Sequence, residues 1–434
     1  MTAALRRSVG SLAVPNYRRY FTGQVISITG NWMQTVAEMW LVVKLTGNGV
    51  LVGLTPALQF TPILLFGALG GVLADRRDKR RTLMVTQTLM ALPALTLFAL
   101  AATGAVAVWM VYALVVVRGL VNAVDNPTRQ SFVMELVGAE RVVNAVSLNS
   151  VLVHTARIVG PMLAGGVIAF VGLAPCFLVN ALSFGAMLLA LRAMNPHELD
   201  RGAPAPRSRG QVRAALGEAW RRPELRIPLL MMVVAGTLAF NFQVLLPLFA
   251  RFTWHGTATT YAMLTTAMGI GSVTGALASG ARGWVSPRLL TGAAALFGVA
   301  QLIAAAAPTL GVQILALIPL GAASVTFSAG VNSTLQLAAG PGLRGRIMAL
   351  YSVVFIGSTP IGAPLVGWLA EVAGPRAGLT LGGAAALAAA AGGALAFARR
   401  SQAATAATGD PSTATDGGVP HTPAARPVEQ VAGR

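Results

Sequence analysis

The sequence predicts an all-α integral membrane protein, twelve transmembrane helices arranged as two pseudo-symmetric six-helix bundles. Composition is the first reason: the 434 residues are 55% hydrophobic and only 11% charged, with a mean hydropathy of +0.68, whereas a soluble domain carries about 25% charged residues. The second is a set of apolar stretches long enough to cross a bilayer. The third is an internal repeat. Gly71-x-Leu73-Ala74 returns as Gly275-x-Leu277-Ala278, Asn126-x-Thr128-x-Gln130 as Asn332-x-Thr334-x-Gln336, and Ile158-Val159-Gly160-Pro161 is echoed from Ile361 to Pro364. Three matches in one order at nearly one offset indicate two related halves, a design that suits a two-repeat membrane transporter.

A hydrocarbon core of about 30 Å takes about 20 helical residues. After a polar, basic N-terminal segment, 1–19, the first half (20–194) supplies spans at 20–43, 50–74, 83–103, 106–124, 144–171 and 174–194. A polar linker, 195–226, follows. In it Val212, Leu216, Ala219 and Trp220 can share a helical face apart from Arg213, Arg221 and Arg222, which reads either as an amphipathic helix on the membrane surface or as a solvated connection. The second half (227–398) supplies spans at 227–250, 260–280, 288–306, 309–330, 347–370 and 378–398. The remainder, 399–434, is rich in Ala, Thr, Pro and Gly and is expected to be a disordered cytoplasmic tail. No cleavable signal peptide is expected, because the first apolar span is too long for one. The single cysteine, Cys176, lies in an apolar span and points to neither a disulfide nor a reactive thiol.

The net charge of +18 would suggest nucleic acid in a soluble chain. Here the basic residues punctuate apolar spans, so the expected partner is the lipid bilayer and no nucleic acid. With the N-terminus in the cytoplasm, only Lys44, Arg251 and Arg376 fall in outer loops and Arg118 and Arg157 within spans; the rest of the 32 Lys and Arg residues are cytoplasmic. That asymmetry satisfies the positive-inside rule. It predicts a multi-pass protein of a bacterial cytoplasmic membrane with both termini inside.

Ionisable groups at membrane depth are costly and default to functional candidates. In the first span Gln24, Ser27, Asn31, Gln34 and Glu38 recur at +3, +4, +3, +4 and so share one face. That face lines either a water-filled cavity or an interhelical contact; Glu38, close to the outer end, either snorkels or carries a proton. In the fifth span Ser147, Ser150, His154, Arg157 and Pro161 repeat the pattern. Arg157, near mid-span, calls for an acid, a carbonyl cluster or an anionic substrate. His154 is either a structural histidine or a proton relay. In the fourth span Arg118, Asn122 and Asp125 are spaced +4 and +3; Arg118 would snorkel to the inner surface, pair with Asp125, or serve binding and coupling. Ser324, Ser328 and Asn332 form a weaker stripe, and Asn241 and Gln243 stand where Asn31 and Gln34 stand in the first repeat. The second half has no charge deep in a span, so charge chemistry is assigned to the first.

Signatures of soluble enzymes are missing: no His-Glu-x-x-His, no phosphate-cradling Gly-x-x-x-x-Gly-Lys-Ser/Thr, no Gly-x-Ser-x-Gly. The chain reads as a non-enzyme without cofactor or metal, driven by an ion gradient. With no acidic cluster suited to sodium, protons are the expected ion.

Gly71-x-Leu73-Ala74-Asp75-Arg76 with Lys79-Arg80 resembles the loop 2–3 signature of the major facilitator superfamily, Asp78 standing in place of its central glycine. The resemblance covers about 17–400. It implies the major facilitator fold, and a cytoplasmic gate formed by Gly71, Asp75, Arg76, Lys79 and Arg80 acting against the start of the eleventh span near Arg344 and Arg346. Gly160-Pro161 with Gly165 is similar to the fifth-helix antiporter signature, Ala164 replacing one of its glycines. Arg118 matches the basic residue of the fourth-helix signature, though the Gln-Gly pair that follows there is missing. The segments Arg19-Tyr20-Phe21-x-Gly23-Gln24, Asn31-Trp32-Met33-Gln34 and Asp125-Asn126-Pro127-Thr128-Arg129-Gln130 resemble the branch holding the enterobactin exporter and macrolide efflux proteins.

The expectation is therefore a monomeric, proton-driven exporter of an amphiphilic small molecule, a siderophore or antibiotic-like compound. Asn31, Gln34, Glu38, Asn122, Arg157, Asn241 and Gln243 would line the path. Glu38, Arg118, Asp125 and His154 would be the proton-coupling candidates, and Gly160, Pro161 and Gly165 the helix-packing motif. The rival expectations are an importer or lysolipid transporter of the same fold, and a non-transporting receptor or scaffold.

Overall fold

The computed structural model describes residues 10–200, 211–282 and 286–408, and these contain helices and no strand. The first half consists of α1 (Pro15–Thr46), α2 (Gly49–Arg76), α3 (Lys79–Thr103), α4 (Val108–Gly138), α5 (Glu140–Phe170) and α6 (Ala174–Arg192). The second consists of α7 (Pro223–Thr253), α8 (Ala258–Arg282), α9 (Pro287–Ala306), α10 (Leu310–Ala338), α11 (Leu343–Ala373) and α12 (Pro375–Thr408). Eleven of the twelve contain a stretch long and apolar enough to cross a membrane. The exception is α1, whose polar stripe lowers its hydropathy while its length and position match the rest.

Local chemistry sets the ends of these helices. α1 begins on Pro15 and stops at Gly47, whose φ of 58° lies in the left-handed region that glycine enters without strain. Asn48 then caps α2 by accepting from the Leu51 N–H at 2.9 Å. Asp78, in the place of the loop signature's glycine, caps α3 by accepting from the Arg81 N–H at 2.9 Å. α4 and α5 depart from expectation. The sequence predicts a loop from 125 to 143, but both helices extend beyond the bilayer thickness and meet at Gly138, where a φ of 69° turns the chain. The Asp125-to-Gln130 motif is therefore helical. α12 also runs past its predicted end at 398, and 409–434 lies outside the described residues. In the linker the helical alternative is observed: Gln211–Arg221 is a helix that leaves Leu216 51% and Trp220 59% exposed.

Close helix packing is made by small residues in corresponding helix pairs of the two halves. A Cβ on Gly70 of α2 would lie 1.9 Å from the Ala123 carbonyl of α4, and one on Gly275 of α8 would lie 2.3 Å from the Ala322 carbonyl of α10. Between the halves, α2 meets α11 and α5 meets α8. A Cβ on Gly53 would lie 2.3 Å from the Ala363 carbonyl, and one on Gly165 would lie 2.8 Å from the Ala262 Cβ. Hydrogen bonds tie this end of the seams: Asn48 Nδ2 donates to Glu371 Oε1 at 2.7 Å, and Thr259 Oγ1 donates to the Gly165 carbonyl at 3.5 Å. At the other end, which carries the basic loop, the linker and the chain ends, Ser147 and Ser150 of α5 are exposed. The molecule is thus sealed on the face away from the basic loop and opens toward the basic face.

Candidate functional site

Two buried polar networks occupy the first half. Glu38 of α1 and Arg118 of α4 are 2% and 5% exposed, and form a two-pronged ion pair: Arg118 Nη1 donates to Glu38 Oε2 at 2.6 Å and Nη2 to Oε1 at 3.1 Å. Arg118 Nη2 also donates to Gln59 Oε1 of α2 at 3.1 Å. Glu38 further accepts from Gln34 Nε2 at 3.4 Å, and Gln34 Oε1 accepts from Asn180 Nδ2 of α6 at 2.5 Å. Residues of four helices are thus linked in one network around the Glu38–Arg118 pair. Two ions at membrane depth persist only when paired and hydrogen-bonded on several sides, and that condition is met here.

The second network lies nearer the basic face. Asp125 accepts from Thr86 Oγ1 at 2.6 Å and Gln87 Nε2 at 2.9 Å through Oδ1, and from Arg129 Nε at 2.8 Å through Oδ2. Arg129 also donates to Gln24 Oε1. Arg118 therefore neither snorkels nor pairs with Asp125, two alternatives the spacing left open. α4 runs on to Gly138, so Arg118 sits about 15 Å along the axis from Val108 and faces Glu38 near the sealed end. Glu38 in turn does not snorkel.

Arg157 is placed differently. It lies near the middle of α5 with its guanidinium carbon 4.9 Å from the centre of the Trp32 ring of α1. Gly160, one turn on, lets α1 approach this closely, since a Cβ there would lie 2.5 Å from Trp32 Cβ. The Nε of Arg157 is buried without a hydrogen-bond partner, and so is Nδ1 of His154 one turn away. In contrast to Arg118 and Arg129, Arg157 forms no ion pair among the described residues.

The remaining predicted residues scatter around these centres. Asn31 is half-buried and donates to the Ser27 carbonyl at 3.0 Å, and Asn122 is half-buried on α4. Asn241 is buried where α7 breaks between Leu238 and Phe242, its side chain donating to the Thr237 carbonyl at 2.7 Å; Gln243 follows, half-buried. In the basic loop, Lys79 pairs with Glu135 of α4 at 2.5 Å, and Arg80 donates to the Leu191 and Arg192 carbonyls at 2.7 and 3.1 Å. Both thus bond within their own half. Asp75 is half-buried, Gly71 precedes it by one helical turn, and Arg76 is exposed at the end of α2. Across the molecule, Arg344 donates to the Gln336 carbonyl at 3.2 Å. Pro161 is buried inside α5.

The sequence assigns no site role to Gln59, Thr86, Gln87 and Asn180, and marks Trp32 and Arg129 only as parts of family-like segments. Gln87 and Asn180 carried a usable signal, a lone amide inside an apolar span. Nothing local marks Gln59 as a partner of Arg118.

Comparison with known proteins agrees with this architecture. Residues 8–417 match the family model described as Transmembrane secretion effector. The chain is 29% identical over 174 residues to the staphyloferrin A transporter of Staphylococcus aureus, an alignment covering 40% of this chain and 44% of that protein, less than half its length. It is 27% identical over 379 residues to the enterobactin exporter EntS of Citrobacter koseri, covering 85% of this chain and 88% of that one. A crystal structure of a variant of the nucleoside transporter NupG superposes with a TM-score of 0.71 at 13% identity, over 88% of this chain and 99% of that one, a likeness of fold. A family match over nearly the whole chain, on twelve helices in two six-helix bundles, makes this protein a multi-pass membrane transporter of the major facilitator superfamily, belonging to its Transmembrane secretion effector family.

Proposed function

We propose that this protein exports an amphiphilic small molecule, a siderophore or antibiotic-like compound, from the bacterial cytoplasm by proton antiport and alternating access, as a monomer with both termini inside. The observation that carries the coupling is the Glu38–Arg118 pair, a carboxylate buried among four helices of one half. Protonating Glu38 would cancel its charge and leave Arg118 bonded chiefly to Gln59, so the packing of α1 against α4 and α2 would depend on the proton. Asp125, held by Thr86, Gln87 and Arg129, is the second coupling candidate, with His154 the third. Asn31, Asn122, Arg157 and Gln243, each partly exposed, would line the path between two domains, 20–194 and 227–398, with Gln34 and Asn241 buried behind them. Export as the direction is supported by the similarity to the enterobactin exporter EntS. Asp75, Arg76, Lys79 and Arg80 would gate the basic face in the opposite conformation.

The test is intracellular accumulation of dyes, macrolides and siderophores in a host lacking its own pumps, with and without a protonophore. Export predicts depletion that the protonophore abolishes and that Glu38→Gln, at equal expression, reduces at least about tenfold. Depletion insensitive to the protonophore would end the antiport reading. Accumulation instead of depletion would reverse the direction.

A further inference from the structure

The middle of the membrane, where an alternating-access site must lie, carries opposite chemistry on the two halves. On the first half the wall is the Arg157 guanidinium over the Trp32 indole. It is a cation that no described carboxylate neutralises, with Arg157 Nε and His154 Nδ1 both buried and unpartnered. A buried guanidinium without an anion is costly. Stacking on an indole recovers only part of that cost. The other buried arginines on this half, Arg118 and Arg129, each hold a carboxylate within 3 Å. Arg157 differs in retaining donors for one.

On the second half the wall is aromatic. α7 is interrupted at Ala239 to Asn241, and the break puts Phe240 in contact with Phe355 of α11, ring centres 5.8 Å apart and edge-on. Tyr351 stacks on Phe355 at 5.9 Å with a 10° interplanar angle. Phe297 and Phe327 back Phe240 and are fully buried, whereas Phe355 is 36% exposed and Phe240 and Tyr351 are half-buried. Phe355 keeps a free face beside Phe240, on the helix of the second half that meets α2 of the first. Trp32, Arg157, Phe240 and Phe355 all fall near the middles of their helices.

We infer that the substrate class is an amphiphilic organic anion with a planar aromatic body, its acidic group held by Arg157 and its ring by Phe240, Phe355 and Tyr351. This rests on the transporter reading but on neither the export direction nor the proton. Each wall supplies what the other lacks. A charged donor recognises carboxylate, sulfonate or catecholate geometry through paired N–H groups, and ring faces give tolerant stacking to planar systems.

The experiment is equilibrium binding to the purified full-length protein in nanodiscs, read by energy transfer from tryptophan to pyrene. Three matched probes are used: 1-pyrenecarboxylate, its uncharged amide and 1-pyrenemethylammonium. The wild type is expected to bind the carboxylate about tenfold or more tighter than the amide, and the ammonium most weakly. Arg157→Gln should bring carboxylate and amide to within about threefold by weakening the carboxylate far more than the amide, and Arg157→Lys should keep part of the preference. Phe240→Ala and Phe355→Ala should weaken carboxylate and amide alike. Measurable amide binding by Arg157→Gln certifies a folded protein. A wild type that prefers the amide, or an undiminished carboxylate preference in Arg157→Gln, overturns the inference. Failure of proton-driven export with this binding pattern intact would instead strike only the export reading.

Discussion

Arg118 and Glu38 were each legible in the sequence as ions at membrane depth, but their pairing was not. They lie 80 residues apart, and the spacing within α4 offered Asp125 as a nearer acid. The structure resolves the choice through reach. Asp125 lies two turns from Arg118 on the same helix and is already held by Thr86, Gln87 and Arg129. Removing one member of a buried pair leaves the other charged and unsolvated, which costs about 3–5 kcal/mol, whereas removing both costs less. Arg118→Met is therefore expected to lower the unfolding temperature in detergent well below that of the wild type, and Glu38→Gln with Arg118→Met to recover a substantial part of the loss. A double variant no more stable than Arg118→Met alone would mean that the two groups are not energetically coupled.

At the scale of helices, the apolar pattern identifies all twelve spans, α1 included although its polar stripe dilutes its hydropathy. What the pattern could not supply was continuity. Polar residues from 125 to 143 read as a loop because hydropathy reports the environment and not the backbone; a helix leaving the bilayer keeps its hydrogen bonds while its side chains become polar. The reverse failure occurs in α7, where an unbroken apolar run hides the interruption at Phe240. No proline or charge marks that break, and Asn241 within it stands out only by its place in the repeat. The basic loop shows a third limit. Its residues match a gate signature, yet here Lys79 and Arg80 bond to α4 and α6 of their own half. A gate acts in the state where the basic face is shut, so its test must be functional. Asp75→Asn is expected to insert normally and to lower export severalfold at equal expression; export at the wild-type level would remove Asp75 from the gate.

The whole molecule is sealed at one end and open at the other, and the seal is made of backbone approaches at α2–α11 and α5–α8. A Cβ on Gly49 or Gly367 would lie 2.3 or 2.2 Å from the other residue's carbonyl, and Asn48 and Glu371 are joined across the same seam. Alternating access requires this seam to part while the basic face closes. Clamping it should therefore arrest turnover without destroying the site beneath. Cysteines placed by Asn48→Cys and Glu371→Cys can be bridged with a short reducible bifunctional reagent, and the native Cys176 is buried and slow to react. The cross-linked protein is expected to lose export, to regain it on reduction, and to bind 1-pyrenecarboxylate from the basic side in both conditions. Continued export with the bridge in place would show that the seam does not open during transport. Loss of binding along with export would place the substrate site at the seam itself, above Arg157 and Phe240, and not between them.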